Sequence, residues 1–108
     1  MEYADLIYET ASGIATITLN RPKVMNALSL ALLRELLQAA TRAEGNPAIR
    51  VLIVTGAGEK AFAAGADIPA FRDMGAAEAL SFLKEVQAVM NGIEQLKKPV
   101  LAAVNGYA

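Results

Sequence analysis

The 108-residue chain has no cysteine and no histidine. The first absence excludes disulfides and thiolate chemistry. The second removes Ser-His-Asp triads, imidazole acid–base catalysis and the common His-containing zinc sites. Any chemistry must therefore run on carboxylates, lysines, hydroxyls or backbone groups, and no metal site is expected. An excess of one charge is also missing: 10 Lys plus Arg against 11 Asp plus Glu leave a net charge of −1. The charges are scattered, with Lys97–Lys98 the only adjacent like pair, which argues against a nucleic-acid partner and against electrostatic tails. Although 55% of the residues are hydrophobic, no uninterrupted apolar run approaches the roughly 18 residues of a membrane span, so no membrane partner is expected. Glu2, Asp5 and Glu9 stand where a secretory signal needs a basic segment and an apolar stretch. A cytoplasmic location is the simplest expectation.

Apolar periodicity divides the chain into short elements. Asp5 to Glu9 and Ile14 to Leu19 are rich in β-branched and aromatic residues, and with the connection Thr10-Ala11-Ser12-Gly13 they predict a β-hairpin. In its second strand Ala15, Ile17 and Leu19 share one face, and Thr16 and Thr18 the other. Ser29 is placed to cap a helix in which Leu32, Leu33, Leu36, Leu37 and Ala40 recur at helical spacing, and Gly45-Asn46-Pro47 ends it. The continuous run Val51-Leu52-Ile53-Val54 predicts a central parallel strand covered on both faces. A long loop from Gly56 to about Gly75 follows. Leu80, Leu83, Val86, Met90 and Ile93 then predict the inward stripe of a helix reaching about Lys97, and Val100 to Val104 a second buried strand. Strand, helix and strand joined by a right-handed crossover make the fold class α/β. Composition is even and free of repeats, so residues 1–108 are read as a single domain.

The long loop holds the residues of chemical interest. Gly56-Ala57-Gly58-Glu59-Lys60-Ala61 matches a dinucleotide pattern, yet that site needs a helix opening at the turn, and Gly65 and Pro69 arrive too soon. No phosphate-binding P-loop is present. In Ala63-Ala64-Gly65-Ala66 successive small residues let backbone N–H groups approach a ligand and stabilise a developing oxyanion; the same residues also suit a tight crossing of loop over sheet. Asp67 is open to three roles: base, metal ligand or helix-start residue.

Three segments together carry a resemblance. Asn20-Arg-Pro-Lys-Val-Met-Asn26-Ala-Leu28, Lys60-Ala-Phe-Ala-Ala-Gly-Ala-Asp-Ile68 and Lys98-Pro-Val-Leu-Ala-Ala-Val-Asn-Gly-Tyr-Ala108 resemble the crotonase family in order and spacing, and most closely its enoyl-CoA hydratases. The resemblance implies the amino-terminal half of a spiral built from strand-strand-helix units. It implies an acyl-CoA thioester as substrate, with coenzyme A as part of that substrate and no separate cofactor. By position Ala66 would supply a backbone N–H to the oxyanion hole that polarises the thioester carbonyl. Lys23, Val24, Met25, Ala64, Asp67 and Ile68 would lie against the CoA moiety, mostly through backbone, with Lys23 and Lys60 near its phosphates. Phe71 would line the acyl pocket. Pro69 stands where many hydratases carry a basic residue.

The family's second oxyanion donor comes from a glycine-rich stretch following Asn-Gly-Tyr-Ala, and its two acid–base glutamates follow that stretch. None of these is among the 108 residues. The implied reaction is hydration of a trans-2-enoyl-CoA by the full-length protein, as a trimer or a pair of trimers, with this piece inactive alone. Two alternatives remain: another acyl-CoA reaction of the family, such as isomerisation, or a non-catalytic chain that associates through an unfinished sheet.

Overall fold

The computed structural model describes residues 3–66 and 72–108. Strands β1 (Leu6–Ala11) and β2 (Ile14–Leu19) pair antiparallel, from Leu6 opposite Leu19 to Ala11 opposite Ile14. The hairpin closes on Ser12 and Gly13 alone, with φ of 51° and 83°, a left-handed pair whose twist matches that of the strands. Thr10 and Ala11, expected in the connection, therefore extend β1. The alternation in β2 holds: Ala15, Ile17 and Leu19 are buried, while Thr16 and Thr18 are half-buried.

Helix α1 (Leu30–Glu44) starts where expected, the Ser29 side chain accepting the Leu32 N–H at 3.1 Å. It buries Leu32, Leu33, Leu36 and the small residues Ala39, Ala40 and Ala43. Most of these join Leu6, Ala15, Ile17, Leu19 and Leu52 in the core between helix and sheet. Two longer ties fix the helix in place. The Glu35 carboxylate accepts the N–H groups of Ala4 and Asp5, each at 2.7 Å, and the Lys98 ammonium donates to the carbonyls of Ala43 and Asn46 at 3.0 and 2.7 Å. The second of these places a cation where the helix dipole is negative.

Strand β3 (Val51–Gly56) runs parallel to β2, and β4 (Val100–Ala103) parallel to β3, in a four-stranded sheet ordered β1-β2-β3-β4. β3 is thus internal and parallel, as its apolar run implies, but it is not covered on both faces. Leu52 is buried toward α1, whereas Ile53 sits half-buried in a row with Thr16 and Leu101 on the other face, where Leu101 is 56% exposed. Among the described residues both helices lie on one side only. β4, expected to be buried, is an exposed edge strand beyond Val100: Leu101 and Ala103 lie on the uncovered face, and Ala102, on the α1 face, sits at the sheet edge.

Helix α2 (Ala76–Glu94) differs from expectation over part of its inward face: Val86 and Ile93 of the expected stripe are half-buried, and Ile93 packs on the core, but the rest of the stripe is not inward. Phe82 and Val89 are buried, while Leu80, Leu83 and Met90 are exposed. The helix packs on α1, bringing Gly92 against Leu37 and Glu85 against Arg34, and that contact selects the face. Its end falls short of Lys97, whose N–H donates instead to the Glu44 carboxylate at 2.7 Å. No helix among the described residues is long and apolar enough to cross a membrane.

Arg34 and Glu85 form a bidentate, solvent-exposed pair at 2.6 and 3.0 Å that pins α2 to α1. The hydrogen bond from Arg34 holds the Glu85 carboxyl below its ordinary range, and the same bond raises Arg34. A carboxylate depressed on folding stabilises above its unfolded pKa, and that contribution disappears as pH falls through the folded value. Denaturant midpoints of the protein and of Glu85→Gln should therefore differ slightly near neutrality in low salt and converge below the carboxylate range. A difference that persists in acid would show that the pair does not carry the effect.

Candidate functional site

Strands β2, β3 and β4 end on the same side of the sheet, and the loops leaving them meet there. After β2 a 3-10 turn (Pro22–Val24) with Pro at its start leads into Met25 and Asn26, at φ 59° and 54°. Two successive left-handed residues are costly for L side chains, and the Asn26 side chain offsets that cost. It is completely buried. Its Oδ1 accepts the Arg21 N–H at 2.8 Å, and its Nδ2 donates to the carbonyls of Ala57 and Ala61 at 3.1 and 3.0 Å. A buried amide with its donors and acceptor all engaged avoids the penalty of unpaired polar burial.

The loop after β3 turns back across the strand end. Gly56 is needed there because a Cβ would come within 2.6 Å of the Phe62 carbonyl oxygen and 2.9 Å of Asn26 Nδ2. No helix opens at Gly56-Ala57-Gly58, so the dinucleotide reading has no structural support; α2 begins only at Ala76. The small-residue run then lies alongside Met25–Leu28. Ala64 donates its N–H to the Met25 carbonyl at 3.0 Å, and Leu28 donates to the Gly65 carbonyl at 2.8 Å. Phe62 and Ala63 donate to the Tyr107 carbonyl at 2.8 and 3.2 Å.

These bonds sort the candidate donors. The amides of Phe62, Ala63 and Ala64 are all engaged inside the fold and cannot meet a ligand. Ala66 is different. The Gly65–Ala66 peptide is trans, no cis bond being present, so its C=O and N–H point in opposite directions. With the carbonyl directed at Leu28, the Ala66 N–H is directed away from that segment, and no acceptor meets it among the described residues. Ala66 is solvent-exposed, and Gly65 reaches the required geometry with φ at 78°, a region in which only glycine is unstrained.

The other sequence candidates divide. Lys23 and Val24 are exposed on the 3-10 turn, and Met25 is half-buried in the wall of a cleft of about 320 Å³. Gly58, Glu59 and Lys60 form the facing wall. Lys23 and Lys60 thus lie on different parts of this surface, and only Lys60 lines the cleft. Ala64 contributes a carbonyl at most. Asp67, Ile68 and Phe71 lie outside the described residues, as does Pro69. A second cleft of about 380 Å³ opens between the starts of the two helices, lined by Leu30, Met74, Ala77 and Phe82. Sequence reasoning missed it because the stripe expected to face inward on α2 does not include Phe82. Among the described residues no cluster of carboxylates is assembled that could hold a metal ion.

The family described as Enoyl-CoA hydratase/isomerase matches residues 9–108. The chain belongs to this family. It is 44% identical over its whole length to a crotonyl-CoA hydratase of Syntrophomonas wolfei and 41% identical to a short-chain-enoyl-CoA hydratase of Clostridium acetobutylicum. A solved enoyl-CoA hydratase from Bacillus anthracis superimposes with a TM-score of 0.89 at 39% identity, over 95% of this chain. The chain spans 42% and 41% of the lengths of those two relatives and 40% of the Bacillus chain. It forms the amino-terminal part of the crotonase fold. Its first strand-strand-helix unit is β1-β2-α1. In the second unit, β3 and α2 flank a segment that, among the described residues, forms two single bridges, Ala61 with Tyr107 and Ala66 with Leu28.

The buried amide is the most demanding element of this surface. Asn26→Asp keeps shape and acceptor but turns an oxygen toward the carbonyls of Ala57 and Ala61. Chemical denaturation near neutral pH should show a loss of at least about 3 kcal/mol, shrinking in acid as the new carboxyl protonates and regains a donor. A variant as stable as the parent would contradict the hydrogen-bond assignment.

Proposed function

We propose that the Ala66 N–H is an oxyanion donor to the thioester carbonyl of an acyl-CoA, and that the whole protein hydrates trans-2-enoyl-CoA thioesters. The direction of the Ala66 N–H, set by the Gly65 carbonyl at Leu28, is the observation that carries this reading. A donor aimed outward from a hydrogen-bonded strand needs no reorganisation when the carbonyl oxygen gains charge, which is the source of oxyanion-hole catalysis. Membership of the Enoyl-CoA hydratase/isomerase family supports the substrate class, and the hydratase relatives support hydration over isomerisation. Lys23, Val24, Met25, Ala64, Asp67 and Ile68 are read as the CoA-facing surface, with Lys60 beside it, and Phe71 as part of the acyl pocket. Coenzyme A enters as part of the substrate and no further cofactor is invoked. The second donor and the acid–base carboxylates are read as lying outside these 108 residues. A cytoplasmic trimer or pair of trimers completes the reading.

Two measurements test it. The chain as given should bind crotonyl-CoA without sustained hydration; steady turnover would place the acid–base groups inside it and overturn that part. Replacing the Gly65–Ala66 amide by an ester removes only the N–H. In a turnover-competent full-length protein this should lower kcat by about 10²–10³, and an unchanged kcat would remove Ala66 from the mechanism.

A second reading, association without catalysis, is favoured by one observation. Ile7 at 40% and Leu101 at 56% exposure stand on the sheet face opposite α1, Ile7 on the edge strand β1 and Leu101 on the edge strand β4. Light scattering at rising concentration should then show self-association, and a monomer at high concentration would overturn it.

A further inference from the structure

The turn after β4 grips the same loop that Asn26 holds from the other side. Asn105 Oδ1 accepts the Gly56 N–H at 3.0 Å and lies 3.5 Å from the Thr55 hydroxyl. Its Nδ2 donates to the carbonyls of Gly58 and Ala61 at 3.2 and 3.3 Å. The Ala61 carbonyl thus accepts two side-chain amides, from Asn26 and from Asn105, one for each of its lone pairs. Two residues on, Tyr107 donates its N–H to the Lys60 carbonyl at 3.0 Å and accepts from Phe62 and Ala63. Asn105 itself is solvent-exposed, so its polar bonds and not its burial are what it contributes.

We propose that Asn105 is a positioning residue for the Ala66 donor, acting through the Ala61 carbonyl and the strand segment 61–66. The proposal rests on the reading of Ala66 given above. Among the described residues, two backbone bonds beyond Ala63, Ala64 to Met25 and Leu28 to Gly65, hold the segment before Ala66. Without Asn105 the Gly58 and Ala61 carbonyls lose a donor, the Gly56 N–H loses its acceptor, and the start of the segment keeps, among the described residues, its bonds to Asn26 and Tyr107. The Gly65–Ala66 peptide then samples orientations in which its N–H is misaligned, and a donor that must reorganise loses its advantage for a developing oxyanion.

The test compares the parent with Asn105→Ala and with the isosteric Asn105→Asp, which keeps the acceptor for Gly56 and loses both donated bonds. Crotonyl-CoA labelled with carbon-13 at the thioester carbonyl is bound to each, and the carbonyl stretch is read by difference infrared spectroscopy. Affinity for coenzyme A alone is measured alongside. The parent should shift the stretch to lower frequency. Both variants should lose half or more of that shift while coenzyme A affinity stays within about threefold. Without ligand, amide exchange at Leu28 and Ala64 should quicken about tenfold in both. Loss of coenzyme A affinity together with the shift means general loosening and overturns the proposal. So does a full shift, or unchanged exchange, in either folded variant, with the Ala66 reading left standing. Absence of any shift in the parent overturns both. If Asn105→Ala does not fold, Asn105→Asp carries the comparison by itself.

Discussion

The buried side-chain amide of Asn26 is the constraint on which the rest of this surface depends. An amide taken wholly out of water costs several kcal/mol unless its partners are in place, and here the partners belong to separate parts of the chain: Arg21 before it, and Ala57 and Ala61 after β3. The amide can be buried only if the link between β2 and α1 and the loop after β3 take up their positions together. Conversely, the left-handed backbone at Met25 and Asn26 persists because that network over-determines it. The Arg21 guanidinium, donating to the Ala27 carbonyl at 2.6 Å, closes the same turn from outside.

From that coupling follows a reduction in the number of available donors. A run of small residues such as Ala63-Ala64-Gly65-Ala66 offers many amides in principle, and a floppy run would offer them all weakly. The fold engages the amides of Phe62, Ala63 and Ala64 with the carbonyls of Tyr107 and Met25, then turns the Gly65 carbonyl toward Leu28. The next N–H is left aimed outward. Which of these chemically equivalent amides faces outward is here set by strand register, and the side-chain amides of Asn26 and Asn105 grip the carbonyl at which that segment begins.

The parts legible in the sequence were those governed by local rules. The alternation of Ala15, Ile17 and Leu19 needs only the period of a strand, and Ser29 needs only the first turn of a helix. The face of α2 could not be read in the same way. Leu80, Leu83 and Met90 are as apolar as Phe82 and Val89, and the choice between them was made by α1, through Leu37 and Arg34, far away in sequence. The continuous run in β3 misled for a related reason: apolar residues on both faces report what a strand tolerates, not what covers it. At the site, Asn26 and Asn105 were visible only as parts of motifs, because an asparagine's hydrogen bonds are set by what the fold brings opposite it. The resemblance identified the family where periodicity yielded only the α/β class, since its motifs include residues that make these long-range bonds.

Parallel pairing explains why the contacts collect at one end. Because β2, β3 and β4 run in the same direction, Leu19, Gly56 and Ala103 all end on one side of the sheet. The segments that follow have no choice but to leave from there, where open α/β sheets place their ligands. Each carries a polar group that the strand ladders leave unpaired, and the cheapest partners are the carbonyls and amides of the neighbouring loop. An antiparallel sheet would have sent alternate loops to opposite ends, and Asn26 and Asn105 could not then have met at a single carbonyl. The convergence on Ala61, and with it the direction of the Ala66 N–H, is therefore a property of the topology before it is a property of any one residue.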